Sequence, residues 1–130
     1  MFAPQLAFRL AAVWLALAGL TLLFPVLANQ IFALHLTNWG LASEYGGVLL
    51  AFGALFWTCS NDPQRYAPLT GILAFGLLLN AVINAYWWAV GHYALQSAVV
   101  NVVLNTALAA LLWMTRPAMG KVRPGDHLAS

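Results

Sequence analysis

Charge is what this sequence has least of: Asp, Glu, Lys and Arg together make up 6% of its 130 residues, against roughly a quarter in soluble domains. That scarcity excludes a water-soluble globular protein. It also excludes a nucleic-acid surface, which needs clustered Lys and Arg on a solvated face. Cysteine is almost missing as well. The single Cys59 rules out an intrachain disulfide, an electron relay through cysteine pairs and a multi-cysteine metal site. The histidines are His35, His92 and His127, and no two share helical spacing inside an apolar run. Haem or di-iron ligation, which draws its ligands from facing helices, has no support. No serine elbow, phosphate loop or zinc motif is present. The residues point to no metal and no cofactor, and they name no reaction.

What is abundant is apolar length. Hydrophobic residues make up 63% of the chain, and a helix needs roughly 20 mainly apolar residues to cross a bilayer. Such runs fall at about residues 6–27, 39–58, 67–90 and 95–115. They are continuous rather than alternating in polarity, which favours helices over a barrel. The expected fold is an all-α integral membrane protein. Its single domain, residues 1–115, is a four-transmembrane-helix bundle in the lipid bilayer, followed by a disordered cytoplasmic tail at 116–130 rich in Pro, Gly and charge.

The basic residues report topology. Arg9 lies early in the first run, Arg65 in the second connection, and Arg116, Lys121 and Arg123 after the fourth run. The first and third connections have none, so the positive-inside rule puts both termini in the cytoplasm. Val26-Leu27-Ala28 passes as a signal-cleavage sequence. However, the small residues Ala12, Ala16 and Gly19 form a stripe suited to close packing, so the first run reads as a retained helix. Pro25 ends or kinks it. Val26 to Asn38 is too short to span and carries Asn29, Gln30, His35 and Asn38. It reads as an outer cap that must be helical or shielded by protein. Tyr86, Trp87 and Trp88 at the outer end, with Trp57 and Trp113 at the inner end, fit interfacial aromatic belts.

Two features invite a functional reading. Asn80 and Asn84 lie one helical turn apart on the third run, and Asn101 and Asn105 repeat that spacing on the fourth. A turn at Gly91 to Tyr93 would set Asn84 beside Asn101, Asn80 beside Asn105 and Gly76 against Ala109. Interhelical hydrogen bonding is the structural reading of the amides, and a ligand-facing pocket is the functional one. The second feature is Glu44, the acidic residue inside an apolar span. Intramembrane carboxylates are costly and mark functional sites by default. No Lys or Arg lies on its side of the membrane. Tyr45, His35, His92, Gln96, Asn84 and Asn101 are its available partners, and solvation among lipid headgroups is the alternative. Gly46, Gly47, Gly53 and Gly76 are candidate helix-packing positions.

The stretch Glu44-Tyr45-Gly46-Gly47-Val48-Leu49-Leu50-Ala51-Phe52-Gly53 resembles the signature of the DoxX-like membrane proteins, in which a Glu opens the second helix ahead of spaced glycines. The resemblance implies a four-helix protein of the bacterial inner membrane, in some cases a membrane subunit attached to a redox enzyme. The resulting expectation is an accessory or subunit protein with an outward-facing polar pocket. Glu44, Tyr45, Asn84 and Asn101 would bound it, with Asn80, Asn105, His35 and His92 as further lining candidates. A quinone head or a lipid suits such a pocket, and a membrane-protein partner or a homo-oligomer suits such a subunit. The rival readings are a small multidrug-type transporter working through Glu44 and an intramembrane enzyme pairing Glu44 with His35 or His92.

Overall fold

A computed structural model describes residues 3–32 and 37–117, so His35 and the tail beyond Pro117 lie outside the described residues. Four of its helices are long and apolar enough to cross a membrane: α1 Ala3–Leu23, α3 Trp39–Ser60, α4 Leu69–Ala89 and α5 Leu95–Thr115. The short α2, Pro25–Phe32, follows α1 after a bend at Phe24. It is a fifth helix in a bundle expected to have four. The break comes where Pro25 lacks the N–H that would continue the α1 ladder. Proline is well tolerated at the first position of a new helix. The start of the segment read as a cap is thus helical, with Pro25 and Ala28 buried against its neighbours.

The connections have local causes. The Asn38 side chain caps α3 by accepting a hydrogen bond from the Leu41 N–H at 3.0 Å. Asp62 accepts from the Arg65 N–H at 3.2 Å, holding the polar turn between α3 and α4. After α4 the chain reverses at Gly91, whose φ is +86°. The Gly91 N–H donates to the Trp88 carbonyl and the His92 N–H to the Trp87 carbonyl, both at 2.9 Å. This is the paired closure that lets a left-handed glycine end a helix. The turn predicted at Gly91 to Tyr93 is present.

Helix α1 packs along α3 and also touches α5, while α4 packs along α5. The order across the bundle is therefore α3, α1, α5, α4. The core sits toward the end that holds the start of α1, the α3–α4 connection and the end of α5. There Phe8, Leu15, Phe56, Leu73, Leu77, Leu108 and Leu112 meet, and the Phe8 and Phe56 rings contact edge to face at 6.2 Å.

Elsewhere the inside is built from small residues. Ala11, Ala12, Gly19, Ala42, Gly46, Gly53, Ala74, Ala81, Ala98 and Ala109 are buried, while Leu17, Phe52, Phe75, Trp113 and Met114 face outward. In water this would be inverted. In lipid no hydrophobic force drives large side chains inward, and helix association depends on how closely backbones approach.

That approach is tightest between α1 and α3. A Cβ built on Gly46 would lie 2.7 Å from the Gly19 carbonyl oxygen and 2.8 Å from the Leu23 nitrogen, and one on Gly19 would lie 2.7 Å from the Gly46 carbonyl oxygen. Two turns away, a Cβ on Gly53 would lie 3.1 Å from the Ala12 carbonyl oxygen and 3.3 Å from the Ala16 nitrogen. The small stripe Ala12, Ala16, Gly19 is therefore the seam on which α3 lies. The Ser43 hydroxyl closes its far end by donating to the Leu23 carbonyl at 3.2 Å. Gly47 and Gly76 take no part in packing within the chain, because a Cβ at either meets nothing within 4 Å. Each is turned by one residue's step, ~100°, out of the seam it was expected to join.

Candidate functional site

Of the eight expected pocket residues, His35 lies outside the described residues, and the other seven form no hydrogen-bonded cluster around Glu44. Helix α3 packs chiefly on α1, whereas α4 packs on α5. Glu44 lies two residues from both Ala42 and Gly46, the buried positions facing α1. At ~100° per residue it points about 200° away from them, and it is exposed. A bundle-facing Glu44 is thus corrected: the seam that binds α3 to α1 uses the opposite face. Glu44 makes no hydrogen bond or ion pair among the described residues.

Its surroundings form a pattern of their own. Gly40, Glu44, Gly47, Ala51, Ala54 and Thr58 follow one another at alternating steps of four and three residues, and all six are exposed. This spacing makes a continuous stripe along one side of a helix. Helix α3 therefore carries two seams back to back, the buried one against α1 and an open one bearing the carboxyl. Tyr45, one residue round the helix, is half-exposed and lies within electrostatic reach of Tyr93 at the α4–α5 turn. His92 is exposed in that turn, its ring 5.3 Å from that of Trp87, which in turn contacts Tyr86 at 5.2 Å. The histidine thus belongs to an aromatic cluster at the helix end.

The asparagines are buried or half-buried, and the amides of Asn84, Asn101 and Asn105 each donate within their own helix. The Asn84 amide donates to the Asn80 carbonyl at 2.8 Å, Asn101 to the Ser97 carbonyl at 2.9 Å, and Asn105 to the Asn101 carbonyl at 2.7 Å. Asn84 also reaches the Asn80 side-chain oxygen at 3.5 Å. Among the described residues no amide bond joins Asn84 to Asn101 or Asn80 to Asn105. The reason is geometric: a carbonyl one turn back is in reach without any demand on the partner helix.

The interhelical bond that does form was not legible. The Trp14 indole N–H donates to the Asn105 side-chain oxygen at 3.3 Å, tying α1 to α5 in mid-bundle. The available signal was a tryptophan in the middle of an apolar run, away from either interface, whose N–H must find an acceptor.

The core end carries a second unforeseen group. Arg9 donates through Nε to the Ser60 hydroxyl at 3.4 Å and stacks over Trp57 at 5.2 Å. Ser60 donates in turn to the Trp57 carbonyl at 2.6 Å. Arg65 and Arg116 stack similarly over Tyr66 and Trp113, at 5.7 and 3.7 Å. Each described cation thus lies over a neighbouring ring, at the end of the bundle that also holds the first turns of α1.

Thr70 is buried there with a hydroxyl that has no hydrogen-bond partner. At the corner of α1 and α2 lies an open concavity of about 430 Å³ lined by Leu23, Phe24, Pro25, Val26, Leu27 and Gln30, whose single polar side chain gives it no means of orienting a ligand. No group of His, Cys, Asp and Glu among the described residues is arranged to hold a metal ion. Comparison with protein families, curated proteins and solved structures finds no match to this chain.

Proposed function

We propose that this protein is an accessory subunit of a bacterial inner-membrane complex, with both termini cytoplasmic, and that it acts by helix association within the bilayer. The observation that carries the reading is the open seam of α3. An ionisable residue within a membrane span almost always pairs with another group or faces a cavity. Glu44 does neither among the described residues, and on this reading its partner belongs to another molecule. The resemblance of Glu44-Tyr45-Gly46-Gly47 to the DoxX-like signature supports this reading, because that resemblance implies, in some cases, a membrane subunit attached to a redox enzyme. The basic residues support the orientation: Arg9, Arg65 and Arg116 gather at one end of the bundle.

The test is purification of the tagged protein from native membranes in a mild detergent, side by side with Gly47→Ile. A Cβ at position 47 meets open space in the chain, so the substitution leaves the fold alone and blocks only the seam. The expected result is a stoichiometric partner lost from the variant. An identical set of proteins in both preparations would refute the reading.

A second reading keeps the ligand. The side-chain oxygens of Asn84 and Asn101 accept no hydrogen bond among the described residues. A quinol hydroxyl or a lipid headgroup entering between α5 and its neighbours can donate to them. Photo-crosslinking with a quinone or lipid analogue tests this, and label confined to residues outside α4 and α5 would exclude it.

A further inference from the structure

We infer that Arg9 holds the phosphodiester of an anionic phospholipid, whose acyl chains run along the outward side of α1. This is independent of the subunit reading, because it concerns the end of α3 opposite Glu44. Of the described cations, Arg9 alone lies within a helix, in the second turn of α1 between the apolar triplets Leu6-Ala7-Phe8 and Leu10-Ala11-Ala12. A cation within such a run calls for an anion or a cavity, and Arg9 has no ion pair among the described residues. Glu44 stands about 24 Å along α3 from Ser60, at a rise of about 1.5 Å per residue. Asp62, just beyond Ser60, gives its carboxylate to the Arg65 N–H at 3.2 Å.

An arginine that merely snorkels keeps its head free in water, whereas the head of Arg9 is held. Its Nε donates to the Ser60 hydroxyl at 3.4 Å, and its guanidinium lies 5.2 Å from the centre of the Trp57 ring. Ser60 is fully buried and is itself anchored to the Trp57 carbonyl at 2.6 Å. The Nε–H is thus spent, and the N–H groups of the two terminal nitrogens are left over. Two parallel N–H groups of a guanidinium match two oxygens of a phosphate, a fit that an ammonium cannot offer.

Depth, charge and surface then select the source of that phosphate. Trp57 is half-exposed, and interfacial tryptophans sit at the level of the headgroups, so Arg9 beside it lies at the depth of lipid phosphates. The same end carries Arg65 and Arg116 against a single described acid, Asp62, which favours an anionic headgroup over a zwitterionic one. From Arg9 the exposed side chains of Val13, Leu17 and Leu20 continue at helical spacing along one side of α1, giving the chains a track that starts at the cation. Free phosphate would use only the guanidinium, and a phospholipid uses both.

The test is native mass spectrometry of the full chain in detergent, titrated with phosphatidylglycerol, phosphatidylcholine or glycerol 3-phosphate. Phosphatidylglycerol should bind first as one lipid per chain and more tightly than phosphatidylcholine. Glycerol 3-phosphate, which has the anion without the chains, should not displace it. Arg9→Gln should weaken phosphatidylglycerol binding about five- to thirtyfold, as expected for one basic residue with charge-assisted hydrogen bonds. Arg65→Gln, which removes the same charge from the same end, should weaken it less. Arg9→Lys keeps the charge without the paired N–H groups and should fall between wild type and Arg9→Gln. Ser60→Ala keeps every charge and releases Nε, so it too should weaken binding.

Thermal unfolding before lipid is added checks that each variant is intact, and Arg9→Lys carries the comparison if Arg9→Gln does not fold. Equal losses in Arg9→Gln and Arg65→Gln would reduce the site to a general positive surface and overturn the inference. Phosphatidylcholine binding as tightly as phosphatidylglycerol, or displacement by glycerol 3-phosphate, would overturn the choice of an anionic lipid. Wild-type affinity in both Arg9→Lys and Ser60→Ala would show that the orientation of the guanidinium plays no part, and the site would have to be given up.

Discussion

Replacing Gly46 and Gly47 by alanine, one at a time, should move stability in opposite directions, though the two are neighbours on one helix. In an exposed helix interior, Gly to Ala is worth about 1 kcal/mol of helix propensity, and both substitutions gain it. They differ in what the new methyl meets. At Gly47 there is nothing within 4 Å, so the gain stands, and Gly47→Ala should be stabilised by up to about 1 kcal/mol in the monomer. At Gly46 the methyl falls 2.7 Å from the Gly19 carbonyl oxygen, about 0.7 Å inside the 3.4 Å where ordinary contact begins, and the opposing atoms are backbone. No side chain can rotate away, so α1 and α3 must part.

A gap of that size forfeits roughly a quarter to a half of each contact along the seam, and overpacking of this kind costs about 1–3 kcal/mol. After the propensity gain, Gly46→Ala should be destabilised by about 0–2 kcal/mol. Gly53→Ala, at 3.1 Å from the Ala12 carbonyl oxygen, should fall between the two. The assay is thermal or denaturant unfolding in one detergent, under conditions where the protein is monomeric. Equal stability of Gly46→Ala and Gly47→Ala would show that the α1–α3 seam is not as closely packed as described, and the reasoning would fail.

Three other outcomes follow from the geometry. Trp14→Phe and Asn105→Leu should each destabilise the monomer by about 0.6–2 kcal/mol through loss of the α1–α5 hydrogen bond; the double variant should cost less than their sum in a double-mutant cycle, and strict additivity would deny the bond. Gly91→Ala should cost about 1–2 kcal/mol in unfolding measurements, because an L side chain at φ +86° is strained, whereas Gly76→Ala should not. A reporter fused after Ser130 should register as cytoplasmic and one inserted at His92 as external, as the five basic residues require; an external Ser130 would reverse the topology.

The number and approximate extent of the long helices were legible and their faces were not, for a physical reason; the first, expected at 6–27, is α1 Ala3–Leu23, cut short where Pro25 starts α2. A span must be long enough for the bilayer, and its ends need Pro25, Asn38, Pro63 and Gly91 or their equivalents, all visible as letters. α5 runs over residues 95–115, as its apolar length predicts. Which side of a membrane helix faces inward leaves no such mark in hydrophobicity, since lipid is as apolar as the core. Size is the surviving signal. It identified Ala12, Ala16 and Gly19 correctly, and it offered both Gly46 and Gly47 without ranking them. No Asn84–Asn101 hydrogen bond forms among the described residues because symmetry about a turn fixes register but not hydrogen-bond partners, and a backbone carbonyl one turn away captures each amide.

The same local capture separates Glu44 from most of the polar side chains on the apolar helices, Thr70 excepted. Asn84, Asn101, Asn105, Thr21, Thr58 and Thr115 each donate to a carbonyl one turn back, because each carries an N–H or O–H that such a carbonyl can accept. A carboxylate has no proton to give to such a carbonyl. The face that holds Glu44 is lined with Gly40, Gly47 and Ala51, which leave room for another backbone to come close. Small residues and an acid would be incoherent on a lipid-facing surface, and together they make sense as a surface that is covered.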